Sequence, residues 1–379
     1  MKALVLPLIL PLALLLLAAA RAAAPALTSD GFRIPQPGRS LRFPQAHASH
    51  PDFRLEWWYI TGHLTDDRGE NHSFQLTFFR SALRPLPEQS DAPDTPFGQD
   101  HLHMAHSAWL QVQADRFVTE ERLARNGWDA AASPHQLHLR QGNWRLAART
   151  PDPNPVFDAF FTVQADIAAL LTFMPQKPFV QFGEDGVERK GSDPAAASHY
   201  ITWSRLAVAG NLEINGEPRR VQGQAWMDHE ISSSQLGGDQ VGWDWASIQL
   251  NDGREIMMYI LRRADGSKDP FSILYWIDAN GGLTPVPPDQ FRWRARRTWT
   301  SPESGGRYPI DWVLVVDDPA TGRPVSLSLQ PLRDDQEHRG TLSGIPYWEG
   351  AARVLINGRP AGLAFVELTG YAEPLNAVK

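Results

Sequence analysis

The segment Trp226-Met227-Asp228-His229-Glu230 holds the densest group of acid and base side chains in the sequence. Two carboxyls and an imidazole beside large aromatic rings could transfer protons in an apolar pocket, because burial raises the pKa of a carboxyl toward neutrality. The alternative is structural, since hydrogen-bonded polar residues at a strand end can simply hold two modules together. Under the first interpretation, Asp228 and His229 are candidate catalytic residues, and Trp226 and Glu230 are candidate ligand contacts.

Glu56 is a second candidate acid, because it immediately precedes the aromatic run Trp57-Trp58-Tyr59. It could face a bound ligand, or it could pair with an arginine such as Arg80 or Arg205. Large aromatic side chains suit an apolar pocket and a packed core equally well. Four of them are candidate pocket walls: Trp58, Trp243, Trp245 and Tyr259.

Three histidines, His101, His103 and His106, are closely spaced. On a strand, His101 and His103 would share a face and could ligate a metal, whereas His106 would fall on the opposite face. No third ligand is therefore evident. The sequence also lacks a G-x-S-x-G elbow, a Walker loop and a Rossmann fingerprint. We therefore predict no metal site and no cofactor, and we disfavour Ser/His/Asp hydrolysis and nucleotide chemistry.

The elements that must position these residues are strands, because apolar residues recur mainly with a period of two. Phe74, Leu76 and Phe78 alternate with polar residues. The run from Ile256 to Leu261 is apolar throughout, as in a strand covered on both faces. For Asp166 to Leu171 we predict one short helix. The sequence as a whole predicts an all-β fold.

Two hairpin patterns occur twice along the chain. An aromatic arm opens with Trp57-Trp58-Tyr59 and again with Trp243-Asp244-Trp245. An Asn-Gly turn followed by a Gly-x-Ala strand occupies residues 214–228 and again residues 356–367. Matching both patterns in order indicates an internal duplication. We place the boundary between the two copies near residues 232–238.

The duplication predicts two modules, residues 28–235 and 236–379, each a lipocalin-like antiparallel β-barrel, packed together. A barrel of this size leaves room for one apolar ligand. Trp57-Trp58-Tyr59 should place aromatic rings on both faces of its strand. Trp243 and Trp245 should both face a single cavity or interface.

The N-terminus predicts export. Lys2, an apolar run from Ala3 to Ala20 and the small residues before Pro25 are typical of a secretory signal peptide, residues 1–24, although the run approaches the length of a membrane anchor. Cysteine is absent, which excludes disulfides, thiol catalysis and a lipidated cysteine. The net charge of -7 makes nucleic acid an unlikely partner. We expect a periplasmic or secreted protein with no integral membrane segment after cleavage.

Five segments together resemble the AttH-type lipocalin-like proteins, a family that includes the carotenoid 1,2-hydratases, also called hydroxyneurosporene synthases. They are HPDFRLEWWYITGHL, SHYITWSRLAVAGNLEING, GQAWMDHE, GWDWASIQLNDGREIMMYILR and LAFVELTGY. The resemblance runs from His50 to Tyr371 and implies two lipocalin-like barrels packed together. Some members of the family are encoded with ABC-transporter permeases, which implies such a permease as a partner.

In the hydratase branch that this chain resembles, the pattern is Asp-His-x-Trp at the junction and Tyr-x-Asp on the following strand. Asp228, His229 and Tyr259 match this pattern, and the resemblance makes Tyr259 a candidate catalytic residue. Ile231 stands where the pattern has Trp, and Leu261 stands where it has the second Asp.

Three functions remain open from the sequence. One is an exported protein that binds an apolar ligand, a lipid or terpenoid, in association with an ABC-transport system. Another is a structural adaptor for a transporter complex. The remaining one is a cofactor-free hydro-lyase or isomerase of the carotenoid 1,2-hydratase type, acting on a terpenoid double bond. In that case Asp228 or Glu56 would be the acid and His229 would orient water, while the four candidate aromatics would flank the cation.

Overall fold

The computed structural model describes residues 26–38, 41–86 and 100–375, so the predicted signal peptide lies outside the described residues. Within these ranges the chain forms 23 strands and one short 3₁₀ helix, Gln45–His47. The strands build two antiparallel sheets. The all-β prediction with two lipocalin-like sheets is confirmed. No helix in the described ranges is both long and apolar enough to cross a membrane.

The first sheet contains 13 strands and curls into a nearly closed barrel. Its strands are β1 Leu55–Asp66, β2 Asn71–Ala82, β3 His101–Gln111, β4 Arg116–Arg125, β5 Ala130–Ala132, β6 His138–Gln141, β7 Trp144–Ala148, β8 Phe157–Val163, β9 Ile167–Pro175, β10 Val180–Gln181, β11 Val187–Arg189, β12 Ala197–Ile214 and β13 Glu217–Ser234. The order is β4-β3-β2-β1-β13-β12-β9-β8-β7-β6-β5, with β10 and β11 paired to β12. Hydrogen bonds from Ser107 to the Thr162 carbonyl (3.0 Å) and from Arg122 to Thr162 Oγ1 (3.1 Å) join β3 and β4 to β8.

The second sheet contains ten strands and forms a half-barrel. Its strands are β14 Gln240–Leu250, β15 Glu255–Arg263, β16 Ile273–Ile277, β17 Leu283–Val286, β18 Phe291–Thr300, β19 Arg307–Asp318, β20 Arg323–Pro331, β21 Glu337–His338, β22 Tyr347–Ile356 and β23 Arg359–Leu368. The order is β17-β16-β15-β14-β23-β22-β20-β19-β18, with β21 paired to β22. Across the concave face, Trp276 Nε1 on β16 donates to the Asp317 carbonyl on β19 at 3.1 Å.

The predicted helix from Asp166 to Leu171 is wrong. Ile167–Pro175 is strand β9, in which Ile167, Ala169, Leu171 and Phe173 are buried and the residues between them are more exposed. This alternation places one face of β9 in the core of the first barrel. The burial of every second side chain therefore favours a strand over a helix in this segment.

The repeated hairpins have matching geometry in the two sheets. Asn215-Gly216 joins β12 to β13, and Asn357-Gly358 joins β22 to β23; all four residues have positive φ, as two-residue hairpin turns require. A glycine contacts the neighbouring strand seven residues after the first turn and four residues after the second. A Cβ at Gly223 would lie 1.9 Å from the His63 carbonyl oxygen, and one at Gly362 would lie 2.2 Å from that of Gln249. Only glycine permits this close approach of the backbones.

Apolar side chains form three cores, one inside each sheet and one between the sheets. Along β1, Trp58 and Ile60 enter the first core, while Tyr59 enters the core between the sheets. Trp245 on β14 enters that same intervening core, and Trp243 packs against it. The two sheets therefore meet through the outer face of β1 and the corresponding face of β14.

Candidate functional site

A cavity of about 470 Å³ lies between the two sheets, within the size range of small-molecule sites. The first sheet contributes wall residues from β1, β2, β3, β12 and β13, and the second contributes them from β14, β15, β22 and β23. Aromatic rings cover much of the wall: Trp57, Tyr59, Phe79, Tyr200, Trp243, Trp245, Tyr259 and Tyr347. The cavity thus uses the outer faces of both sheets and not the interior of either barrel.

Corresponding positions of the two sheets face each other across this cavity. Tyr59 pairs with Asp228 in the β1/β13 register, and Trp245 pairs with Glu367 in the β14/β23 register. The rings of Tyr59 and Trp245 meet edge to face with centroids 5.2 Å apart. Each module therefore supplies an aromatic residue and an acid at equivalent strand positions.

Asp228 is buried and accepts three hydrogen bonds. Thr202 Oγ1 donates to Oδ1 at 2.5 Å, and Trp226 Nε1 donates to the same oxygen at 2.7 Å. Tyr200 donates to Oδ2 at 2.8 Å and itself accepts a hydrogen bond from Trp245 Nε1 at 3.0 Å. Burial raises the pKa of Asp228 to about 7, although the hydrogen bonds, that from Thr202 foremost, favour the carboxylate. Asp228 can therefore gain or lose a proton near neutral pH.

Glu349 and Glu367 form a second acidic group on adjacent strands, directly opposite each other in the β22/β23 register. Burial raises the pKa of Glu349 well above its usual value, and the charge of Glu367 adds to this effect. Burial also raises the pKa of Glu367 to about 7. Tyr59 donates to Glu349 Oε1 at 2.7 Å, whereas Oε2 has no hydrogen-bond partner within the described residues. Burial therefore favours the protonated form of Glu349 at the cavity wall.

Lys190 is the cation at the cavity wall. Its Nζ pairs with Glu230 and donates to Gln235 Oε1 at 2.8 Å. The same Nζ lies 5.5, 5.2 and 5.9 Å from the ring centroids of Trp57, Tyr200 and Tyr259. The aromatic wall of the cavity therefore already accommodates one positive charge through cation–π contacts.

The structure places Glu56, Trp58 and His229 on the other face of the sheet, inside the first barrel. His229 Nε2 lies 2.9 Å from Glu56 Oε1, and the His229 ring stacks on Trp58 with centroids 4.6 Å apart. Arg80 Nε donates to Glu56 Oε2 at 3.0 Å, so the arginine partner of Glu56 is Arg80. Arg205 instead donates to Glu255, at 2.6 Å.

The interpretation that joined Asp228 and His229 in one pocket does not hold in this geometry. Consecutive residues on a strand point to opposite faces, so Asp228 and Glu230 face the cavity while His229 faces the barrel core. Burial alone would raise the pKa of Glu56, but hydrogen bonds from His229 and His50 and the charge of Arg80 hold it well below its usual value. Glu56 is thus a fixed carboxylate.

The remaining predicted residues lie at or beside the cavity. Trp243, Trp245, Tyr259 and Glu230 line it, and Trp226 is buried behind Asp228. The hydroxyl of Tyr259 donates to Glu188 at 2.8 Å. The sequence interpretation missed Glu349, Glu367 and Lys190. The repeat could have identified Glu367, because it occupies the position of Asp228 in the second copy.

Comparison with known proteins places this chain in a family. Residues 34–371 match the family model described as AttH-like. An AttH protein from Nitrosomonas europaea is 32% identical, with a TM-score of 0.77 over 89% of this chain and 98% of that one. Kievitone hydratase from Nectria haematococca is 14% identical, with a TM-score of 0.65 over 92% of this chain and 96% of that one.

A third solved structure, CghA with Sch210972, is 12% identical, with a TM-score of 0.50 over 91% of this chain and 97% of that one. These last two likenesses concern the fold alone. None of the curated proteins matches this chain. The family match spans most of the sequence and agrees with the two-sheet architecture, so the chain belongs to the AttH-like family.

Proposed function

We propose that the chain is a hydro-lyase or isomerase that acts on a double bond of an apolar small molecule, a lipid or terpenoid, held in the cavity between the two sheets. The observation that carries this proposal is Glu349, a buried acid with an unpartnered oxygen at the cavity wall. Burying a carboxyl in an apolar site is costly. A protein that only held an apolar ligand would gain nothing from two such groups, Asp228 and Glu349, beside the half-buried Glu367.

The proposed reaction begins with Glu349. Its Oε2–H would protonate one carbon of the double bond, and the adjacent carbon would become cationic. The faces of Trp57, Trp243 and Trp245 would stabilise that cation, as the aromatic wall already does for Lys190. Water would then add to the cation and lose its proton to Asp228 or Glu367 in the carboxylate form.

In the isomerase form of the reaction, the cation would instead lose a proton from a neighbouring carbon to the same carboxylates. Both forms need one group that is protonated and one that is not at the same pH. The high pKa of Glu349 and the pKa values of about 7 for Asp228 and Glu367 satisfy this requirement. The presence of a hydratase among the solved structures with this fold also supports the reaction class.

The test uses protein purified from its own host, in which native mass spectrometry would identify a co-purifying apolar molecule. That molecule, and lycopene as an acyclic carotenoid, are incubated with the protein in D₂O. We expect a product that has gained one water, or one that has incorporated deuterium. Glu349→Gln should lower the rate about 10²- to 10⁴-fold, the range typical of general acid catalysis.

Glu337→Gln is the matched control, because Glu337 is also a buried carboxyl held by neutral donors, here two serines and a tyrosine, but does not line the cavity. It should retain the activity of the wild type if it stays folded. Recovery of the co-purifying molecule unchanged and without deuterium would show a binding protein instead of an enzyme.

We further propose that the protein is exported. The support is the charge, apolar run and alanine sites of residues 1–24. Sequencing the N-terminus of the protein isolated from its host should find cleavage after Ala20 or Ala24. A chain that retains Met1 would contradict export by this route.

A further inference from the structure

A second group of polar side chains connects the two sheets next to the cavity. His106 on β3 and Glu121 on β4 belong to the first sheet, and His338 on β21 belongs to the second. Their potential ligand atoms all lie within 4.8 Å of one another. Each of the three side chains is at most 3% exposed. Two imidazoles and a carboxylate are a common donor set for zinc and for iron(II) in proteins.

The spacing around Glu121 already suits a small divalent ion. Its Oε1 lies 3.3 Å from His106 Nε2 and 3.6 Å from His338 Nδ1. Zinc bonds of about 2.1 Å in a tetrahedral arrangement separate neighbouring ligand atoms by roughly 3.4 Å. Two of the ligand-to-ligand distances in this group are therefore already close to those of a tetrahedral zinc site.

Three of the four imidazole nitrogens of this group make no protein hydrogen bond within the described residues. Within the described residues, His106 Nε2 and both ring nitrogens of His338 have no hydrogen-bond partner. Buried polar atoms usually have a partner, and two of these nitrogens, His106 Nε2 and His338 Nδ1, lie near Glu121 Oε1, so they are free to bind an ion there. An ion would satisfy His106 Nε2 and one nitrogen of His338.

Neighbouring side chains and a backbone amide contact His106 and Glu121, as the residues around a metal site usually contact its ligands. The Tyr347 hydroxyl lies 2.9 Å from His106 Nδ1, the ring nitrogen away from the site. Glu121 accepts hydrogen bonds from Thr341 Oγ1 (2.9 Å), the Leu342 amide (2.6 Å) and Ser343 Oγ (2.9 Å). These contacts orient Glu121 from the second sheet.

Two other groups with a similar composition differ in one respect. In His50-Glu56-His229 the carboxylate is paired with Arg80, and in Asp66-Glu70-His72 it is paired with Arg219. An arginine there supplies the positive charge that a metal would bring. No arginine or lysine is paired with Glu121 within the described residues.

We propose that His106, Glu121 and His338 bind one divalent transition-metal ion, with zinc as the best match to the donors, and that this ion links the two sheets. The rings of His106 and His338 are stacked, with centroids 4.4 Å apart and an angle of 23°. Binding therefore requires the His338 ring to turn about its side-chain bonds, and no hydrogen bond opposes this. His106 also lines the cavity, so the ion would lie at the cavity wall.

The test is metal binding by the full chain without an affinity tag. Protein treated with a chelator and dialysed is titrated with Zn²⁺ and, separately, with Co²⁺. We expect one ion per chain by elemental analysis, an absorption band of bound Co²⁺ in the visible range, and a higher Tm. His338→Ala and Glu121→Gln should each weaken binding at least tenfold.

Two controls separate this site from other histidines. His138→Ala removes an exposed histidine, and His63→Asn changes a buried histidine that contacts the second sheet but lies outside the group. Both should bind the ion like the wild type. Absence of stoichiometric binding in the wild type, or equal binding by Glu121→Gln and the wild type, would overturn the proposal. If His338→Ala fails to fold, Glu121→Gln alone decides. None of these readouts depends on the proposed reaction.

Discussion

The two faces of strand β13 handle buried carboxyl groups in opposite ways. On the barrel face, His229 reaches Glu56, a carboxylate that is also paired with Arg80. On the cavity face, the donors to Asp228 among the described residues are all neutral: Thr202, Trp226 and Tyr200. Glu56 accordingly has a lowered pKa, whereas burial raises the pKa of Asp228 to about 7.

The difference shows what separates a structural acid from a reactive one in this chain. At Glu56, hydrogen bonds from His229 and His50 together with the charge of Arg80 outweigh the effect of burial and hold the carboxylate in a locked ion pair, whose charge is unavailable for proton transfer. Neutral donors hold the acid in place and leave its proton exchangeable. Glu349 is the extreme case of the second arrangement, because Tyr59 is its one hydrogen-bond donor among the described residues.

The largest expected effect is the loss of stability when the carboxylate on the barrel face, Glu56, is replaced. Glu56→Gln leaves Arg80, which is only 2% exposed, without its counter-ion, and we expect a loss of about 3–5 kcal/mol in the free energy of unfolding. Glu349→Gln keeps the acceptor for Tyr59, and burial already disfavours the charged form of Glu349, so the free energy of unfolding of this variant should stay within about 1 kcal/mol of the wild type. Urea unfolding at pH 7.5, followed by circular dichroism, measures both. Equal losses in the two variants would refute the distinction.

The next effect is the pH dependence that Asp228 gives to the free energy of unfolding. Its folded pKa is raised above the unfolded value, so the folded state holds the proton more strongly. This contribution to stability is complete below pH 3.8 and is lost as the pH rises to about 7. At about 1.4 kcal/mol per pKa unit, the wild type should lose roughly 4 kcal/mol more than Asp228→Asn over that range. Urea unfolding at several pH values tests this, and parallel curves for the two proteins would contradict it.

The sequence predicted more of the fold than of the site. Period-two patterns and the repeated Asn-Gly hairpins depend on neighbours in the chain, and they gave the strands and both sheets. The same alternation, applied to residues 226–230, would have separated Asp228 from His229. Glu349 could not be found in this way, because its role depends on Tyr59, 290 positions away in the sequence, across the contact between the sheets.

The smallest expected effect concerns the hydrogen bond from Tyr200 to Asp228. Tyr200→Phe removes a donor that favours the carboxylate and leaves Trp245 Nε1 without its acceptor. We expect a loss of about 1 kcal/mol in the free energy of unfolding and a further rise in the pKa of Asp228. Tyr308→Phe is the matched control, because Tyr308 donates to Glu337 in the second sheet, away from the cavity.

Both variants should lose comparable stability at pH 5. Only Tyr200→Phe should also shift the pH range over which the protonation of Asp228 stabilises the fold, a pH dependence that is absent in Asp228→Asn. The measurement is urea unfolding of the two single variants and of each combined with Asp228→Asn. A shift of the same size in Tyr308→Phe, or one that persists in the Asp228→Asn background, would mean that the neutral donors around Asp228 do not control its proton. The type of partner, neutral or charged, would then not explain the difference between Asp228 and Glu56.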